Sequence, residues 1–190
     1  MVNNGKMGLV ENFRNYRTKK LEKIARAVAQ TGLRANHITF LSLLCGILAA
    51  YFLFSKYYLF VLFVILHLCL DGFDGVVARV TKPTPYGKYF DLVTDSSVTF
   101  LLLLNTAAYL QELYAFLAAG LFMLALIIHI KGKLQTPMLF LRTSAVAVLV
   151  VAVHPLFPYQ QILLTLGYLA AGGVSLFSLA RQLQWYVGKK

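Results

Sequence analysis

The sequence predicts an all-α polytopic membrane protein, with six transmembrane helices preceded by an amphipathic helix at the membrane interface. Three observations predict it. The 190 residues are 59% hydrophobic and only 13% charged, too apolar for a water-soluble domain of this size. Six apolar runs approach the ~20 residues that a bilayer crossing requires. Every lysine and arginine except Lys56 then falls on one side of a six-span arrangement, a segregation that a miscounted span would scramble.

The N-terminal segment is polar and basic up to His37 and does not resemble a secretory signal peptide. From Met7 to Gln30, apolar residues (Leu9, Val10, Phe13, Tyr16, Leu21, Ile24, Ala25 and Val28) alternate with basic ones. They approximate a helical stripe that Arg17 and Lys20 interrupt. This predicts an amphipathic helix on the cytoplasmic leaflet; the alternative is a frayed basic tail. The six spans are expected near 38–55, 57–80, 88–110, 113–130, 141–155 and 159–180. Between them stand Ser55-Lys56, the Thr81–Tyr86 stretch with Pro83 and Pro85, Gln111-Glu112, the Lys131–Pro137 stretch, and His154 to Pro158. Proline ends a helix by removing a donor and clashing with the preceding turn. Positive residues stay cytoplasmic, which puts both termini on that side. The chain divides into a cytoplasmic N-terminal segment (1–37), a six-helix domain (38–181) and a cytoplasmic tail (182–190).

Cys45 and Cys69 fall inside apolar runs and read as small hydrophobes, not as a disulfide or metal framework. The net charge of +11 suits an anionic membrane surface and a phosphate-rich substrate. No nucleic-acid-binding motif accompanies it.

Four of the seven acidic residues lie between Asp71 and Asp95. Ionisable groups at membrane depth are costly and mark function. Asp71 and Asp74 are three apart on the second span, and Asp91 and Asp95 four apart on the third. Both spacings put the side chains on one helical face. The turn between the spans is short, so the helices are expected as antiparallel neighbours whose carboxylates meet at the cytoplasmic end. Such a set suits one or two hard divalent cations, Mg2+ or Mn2+; no His or Cys cluster argues for zinc. Gly75 and Ala78 share the face of Asp71 and Asp74, and Gly87 opens the third span. They leave room for a flat group against the backbone. Arg79 offers a forked donor to phosphate. Together these residues point to a nucleotide diphosphate handled at the membrane surface. The alternative is a set of helix-end carboxylates salt-bridged to Arg79, Lys82 and Lys88.

Asp-x2-Asp-Gly-x2-Ala-Arg, seven residues, then Gly-x3-Asp-x3-Asp resembles the signature of the CDP-alcohol phosphotransferase family. Asp71, Asp74, Gly75, Ala78, Arg79, Gly87, Asp91 and Asp95 meet every specified position. The resemblance implies transfer of a phosphatidyl group from a CDP-linked lipid, typically CDP-diacylglycerol, to a small alcohol with release of CMP. It implies that Asp71, Asp74 and Asp91 bind metal. It implies, too, that Asp95 is the general base and can touch a second ion. By the same resemblance, Gly75, Ala78 and Gly87 would lie against cytidine, with Arg79 near the diphosphate. Ala35-Asn36-His37-Ile38-Thr39 is similar to the family's Pro-Asn-x-x-Thr element, with Ala35 in place of proline; Asn36 and Thr39 are then nucleotide-binding, or else cap the span. His37 has no assigned role. A homodimer is also implied, and Ala118, Ala119 and Gly120 on the fourth span would permit close helix contact.

The acceptor is read from other residues. Lys131, Lys133 and Arg142 place cations near the site's mouth, favouring a phosphorylated alcohol such as glycerol 3-phosphate or an inositol phosphate; ordinary positive-inside charge is the alternative. Gly132-Lys133-Leu134-Gln135-Thr136 is similar to a run in the phosphatidylglycerophosphate synthases. Ser42, however, stands where those enzymes carry arginine. Ser96-Ser97 stands where inositol-phosphate synthases carry Asp-Arg. Two other functions account for intramembrane aspartates: a cation transporter or channel, and a non-catalytic CDP-lipid-binding protein. The first leaves the Gly-Ala-Arg pattern unexplained, and an intact Asp95 argues against the second.

Overall fold

The computed structural model describes residues 9–139 and 141–188, with side chains from Tyr16 onward. Lys6, Met7, Lys189 and Lys190, and the side chains of Leu9, Val10, Phe13 and Arg14, lie outside the described residues. Seven helices and no strand are found among the described residues: α1 (Leu9–Gln30), α2 (Ala35–Phe52), α3 (Tyr57–Thr81), α4 (Pro85–Leu110), α5 (Leu113–Lys131), α6 (Arg142–Ala152) and α7 (Gln160–Val187).

Five of these, α2 to α5 and α7, are long and apolar enough to cross a bilayer. The segment expected as the fifth span is instead an 11-residue helix, α6. At 1.5 Å per residue it is roughly 16 Å long, about half a hydrocarbon core. The chain before it is not helical. Lys133 and Leu134 adopt left-handed φ of 52° and 61°, and Pro137 follows. α4 begins three residues earlier than expected, at Pro85. The ring of Pro85 presets helical φ at the first position, and Thr84 Oγ1 accepts from the Gly87 N–H at 3.0 Å.

α2 is the central strut. The short turn predicted that α3 and α4 would pack side by side. Instead they make little direct backbone contact, and α2 packs closely against both. Its small buried residues Ser42, Gly46, Ala49 and Ala50 let it enter the groove between them. On the α3 side, Ser42 Oγ donates to the His67 carbonyl at 2.9 Å, and His67 Nδ1 lies 3.0 Å from the Ser42 carbonyl. On the α4 side, Asn105 Nδ2 donates to the Ala50 carbonyl at 2.7 Å. Gly46 faces Val98 so closely that a Cβ at Gly46 would overlap both Val98 methyls.

The largest core cluster joins α2, α3, α4, α6 and α7 around Leu53, Phe60, Leu102 and Leu164. A second joins α4, α5 and α7. Ala118 and Ala119 are buried there, inside one protomer, so they are not available to a second copy; Gly120 has open space around it. Exposed Tyr51, Leu62, Leu117 and Leu166 form the outward apolar surface that lipid would cover. Cys45 is buried and Cys69 faces outward, both as free thiols.

α1 is a helix, as the stripe predicts, and part of its apolar face is buried on protein. Leu21, Ala25 and Val28 pack with Val76, Val77 and Val80 of α3 and Ile38 of α2. Tyr16 and Ile24 stay exposed on the adjoining face.

Gly46→Ala is expected to cost about 1–3 kcal/mol through overpacking. Thermal denaturation of the detergent-solubilised protein checks this. Adding Val98→Ala should recover most of the loss, because the two positions share one contact.

Candidate functional site

The acidic cluster lies inside the bundle. Asp71 is roughly 15 Å from the Thr81 end of α3, and Asp95 a similar distance from the start of α4. Carboxylate oxygens of Asp71, Asp91 and Asp95 lie within 4.8 Å of one another, and all three residues are partly buried. Helical spacing explains each pair locally; the short 82–84 turn brings the two faces together. Arg142, the first residue of α6, enters between them. Its Nη2 donates to Asp71 Oδ2 at 2.5 Å, and its Nη1 pairs with Asp95 Oδ1. The sequence placed Arg142 at the cationic mouth and offered Arg79, Lys82 and Lys88 as salt-bridge partners. Arg142 pairs with both Asp71 and Asp95.

Arg142 is fixed from behind. The non-helical stretch before it is tied down by His129 Nδ1 to Thr136 Oγ1 at 3.0 Å. The Leu139 N–H donates to Ser178 Oγ at 3.2 Å. Gln182 of α7, fully buried, donates to the Ala125 carbonyl of α5 at 3.0 Å. Lys131 and Lys133 are exposed and are not among the residues lining the cavity described below.

Asp74 stands apart from the other three. It is 4% exposed and accepts a 2.6 Å hydrogen bond from Thr39 Oγ1. It lines a cavity of about 620 Å³ between α2, α3 and α4, together with Asn36, Thr39, Gly75, Ala78, Gly87 and Asp91. Seven of the predicted positions therefore face one space. Arg34, Tyr86 and Lys88 also line it, and the sequence did not mark them as site residues. At Gly87 a Cβ would meet Thr84 Oγ1 at 3.1 Å and Asn36 Oδ1 at 3.3 Å, so glycine keeps this wall thin. At the start of α2 the Arg34 N–H donates to His37 Nδ1 at 3.3 Å, and Thr39 Oγ1 also lies 3.1 Å from the Ala35 carbonyl.

Cavity and cluster are one site because Asp91 belongs to both. Asp91 Oδ1 is buried with no hydrogen-bond partner among the described residues. Three carboxylates converge there, and the donors are all oxygen. That set fits a hard divalent cation. Asp71, Asp91 and Asp95 could hold it directly, with Asp74 one helical turn away on α3.

The family description CDP-alcohol phosphatidyltransferase matches residues 33–182 of the 190, from just before α2 to near the end of α7. Comparison with curated proteins finds no match. The matched stretch contains the eight motif residues, the cavity that Asn36, Thr39, Gly75, Ala78 and Gly87 line, and the Arg142 ion pairs. The chain belongs to the CDP-alcohol phosphatidyltransferase family, transferases that act on CDP-linked alcohols in phospholipid synthesis.

Proposed function

We propose that the protein transfers a phosphatidyl group from CDP-diacylglycerol to a small polar alcohol and releases CMP. The observation that carries this reading is the shared Asp91, which joins a nucleotide-sized cavity to a carboxylate cluster. Cytidine would lie on the floor of Gly75, Ala78 and Gly87, with Asn36 and Thr39 at its phosphates. The diphosphate, with Arg79 beside it, would then run toward Asp91 and Asp71. Asp71, Asp74, Asp91 and Asp95 would hold Mg2+ or Mn2+, two ions in all. Bound there, such cations neutralise diphosphate charge and make the acceptor hydroxyl more acidic.

Asp95 takes the proton from that hydroxyl. The hydroxyl oxygen attacks the lipid-linked phosphorus and forms the new P–O bond. The P–O bond to CMP breaks, and CMP leaves with the electron pair. Arg142, bonded to Asp71 and Asp95, orients the base. With Lys131 and Lys133 it would receive a phosphorylated acceptor, glycerol 3-phosphate and an inositol phosphate being the two candidates. Positive-inside charge supports a cytoplasmic site and cytoplasmic termini. A homodimer would have to use a surface other than Ala118 and Ala119. Cation conduction predicts ion flux in liposomes without CDP-lipid; family membership favours transfer.

The test is CMP release and new lipid from labelled CDP-diacylglycerol across a panel of alcohols. No turnover with any acceptor, where a relative works in parallel, would overturn the proposal. Asp95→Asn is expected to lower kcat about 10²- to 10⁴-fold while CDP still binds; an unimpaired kcat would remove Asp95 as base. Chelation should abolish transfer and Mg2+ or Mn2+ restore it, with Zn2+ a poor substitute. Arg142→Ala leaves Asp71 and Asp95 without their guanidinium, so its melting temperature should depend more steeply on added Mg2+ than wild type's. An unchanged Mg2+ dependence would show that Arg142 carries little of the cluster's charge balance.

A further inference from the structure

Arg17 breaks the apolar stripe of α1. It sits four residues before Leu21 and eight before Ala25, on the face that packs against α3. An arginine there has no packing reason, and its position is explained by what lies opposite. Its guanidinium lies over a bare stretch of α3. Nη1 is 2.9 Å from where a Gly72 Cβ would be, and Nη2 is 3.7 Å from where a Gly75 Cβ would be. Gly72 is one of the unspecified positions of the motif, yet here its missing side chain is what admits Arg17. Arg17 Nε is buried with no hydrogen-bond partner among the described residues. A second guanidinium, that of Arg79, reaches the same glycine, with Nη2 4.0 Å from the Gly75 Cβ position.

Both guanidinium groups of Arg17 and Arg79 come within about 4 Å of the Gly75 Cβ position. Forked donors above a floor without side chains suit a phosphate, whose oxygens can accept from both. The direction along α3 selects which phosphate. The cavity wall includes Gly75 and Ala78 but neither Gly72 nor Arg17. Arg17 therefore stands past the cavity's edge, toward Asp71, on the side away from the nucleoside floor.

We infer that Arg17 binds the lipid-linked phosphate of the CDP-lipid donor, so that the surface helix α1 contributes a residue to the active site. This rests on the transferase reading above. It also gives α1 a second role, since the helix that meets the bilayer surface would grip the donor's phosphate where the lipid emerges from the membrane.

The test compares CDP, which carries the second phosphate, with CMP, which lacks it, by calorimetry on the full chain in nanodiscs with Mg2+. Arg17→Ala should weaken CDP about tenfold to a hundredfold and leave CMP within about twofold. Arg17→Lys should fall between, keeping charge without the fork. Gly72→Ala leaves every charge in place and pushes Nη1 aside, so it should also weaken CDP selectively; with Arg17→Lys it carries the test if Arg17→Ala does not fold. Equal loss for CDP and CMP, or loss for neither, in a protein whose wild type binds both and turns over, overturns the role of Arg17 alone. A wild type that binds no cytidine nucleotide and releases no CMP overturns the transferase reading and this one together. A loss seen only in nanodiscs of anionic lipid assigns Arg17 to bilayer headgroups and overturns the proposal.

Discussion

Carboxylates within 4.8 Å of one another repel by several kcal/mol in a weakly polar interior, on the order of 4 kcal/mol per pair at an effective dielectric of 20. No fold gathers three of them among apolar helices without compensation. Here Arg142 supplies part of it, bonded to two of the three. Its place as first residue of α6, the anchored stretch before it and the shortness of α6 all follow from bringing one cation to that depth. A buried pair of this kind adds little net stability, but losing one partner is costly. The arrangement therefore specifies geometry more than it stabilises the fold.

The same constraint explains why α2 lies between α3 and α4. If the two acid-bearing helices packed tightly along their length, there would be no cavity between them. Small residues on α2 let it hold both helices apart at a fixed distance, with Asn105 and the Ser42–His67 contacts as lateral ties. The cluster and the cavity then meet at Asp91. The His67 Nδ1 contacts also set its tautomer: a carbonyl can only accept, so Nδ1 carries the proton toward Ser42 O.

Much of this was legible in the sequence. The alternating basic and apolar segments gave the helices, because both hydrocarbon length and charge placement are strong, local constraints. The motif residues gave the cavity, since a helix converts spacing directly into a shared face. Long-range pairing was not legible. Arg142 meets Asp71 from 71 residues away, and nothing local separates an arginine that faces a loop from one that turns inward. The wedge position of α2 was missed for a similar reason: a short turn argues for neighbours, and only tertiary packing shows that another helix intervenes. Arg17 did leave a signal, its interruption of an otherwise apolar stripe, but the glycines that receive it lie far along the chain.

The shortness of α6 has a consequence for the backbone before it. The cluster lies roughly 15 Å in from the basic end, and α6 covers roughly 16 Å; together they account for the ~30 Å of a hydrocarbon core. The missing turns of α6 correspond to the stretch from 132 to 139. Non-helical backbone at such a level is stable only when buried in protein or facing water, and the Leu139–Ser178 bond satisfies part of it. Beside α6, helix then spans only half of that depth, and the other half is taken by the anchored stretch with its buried Thr136.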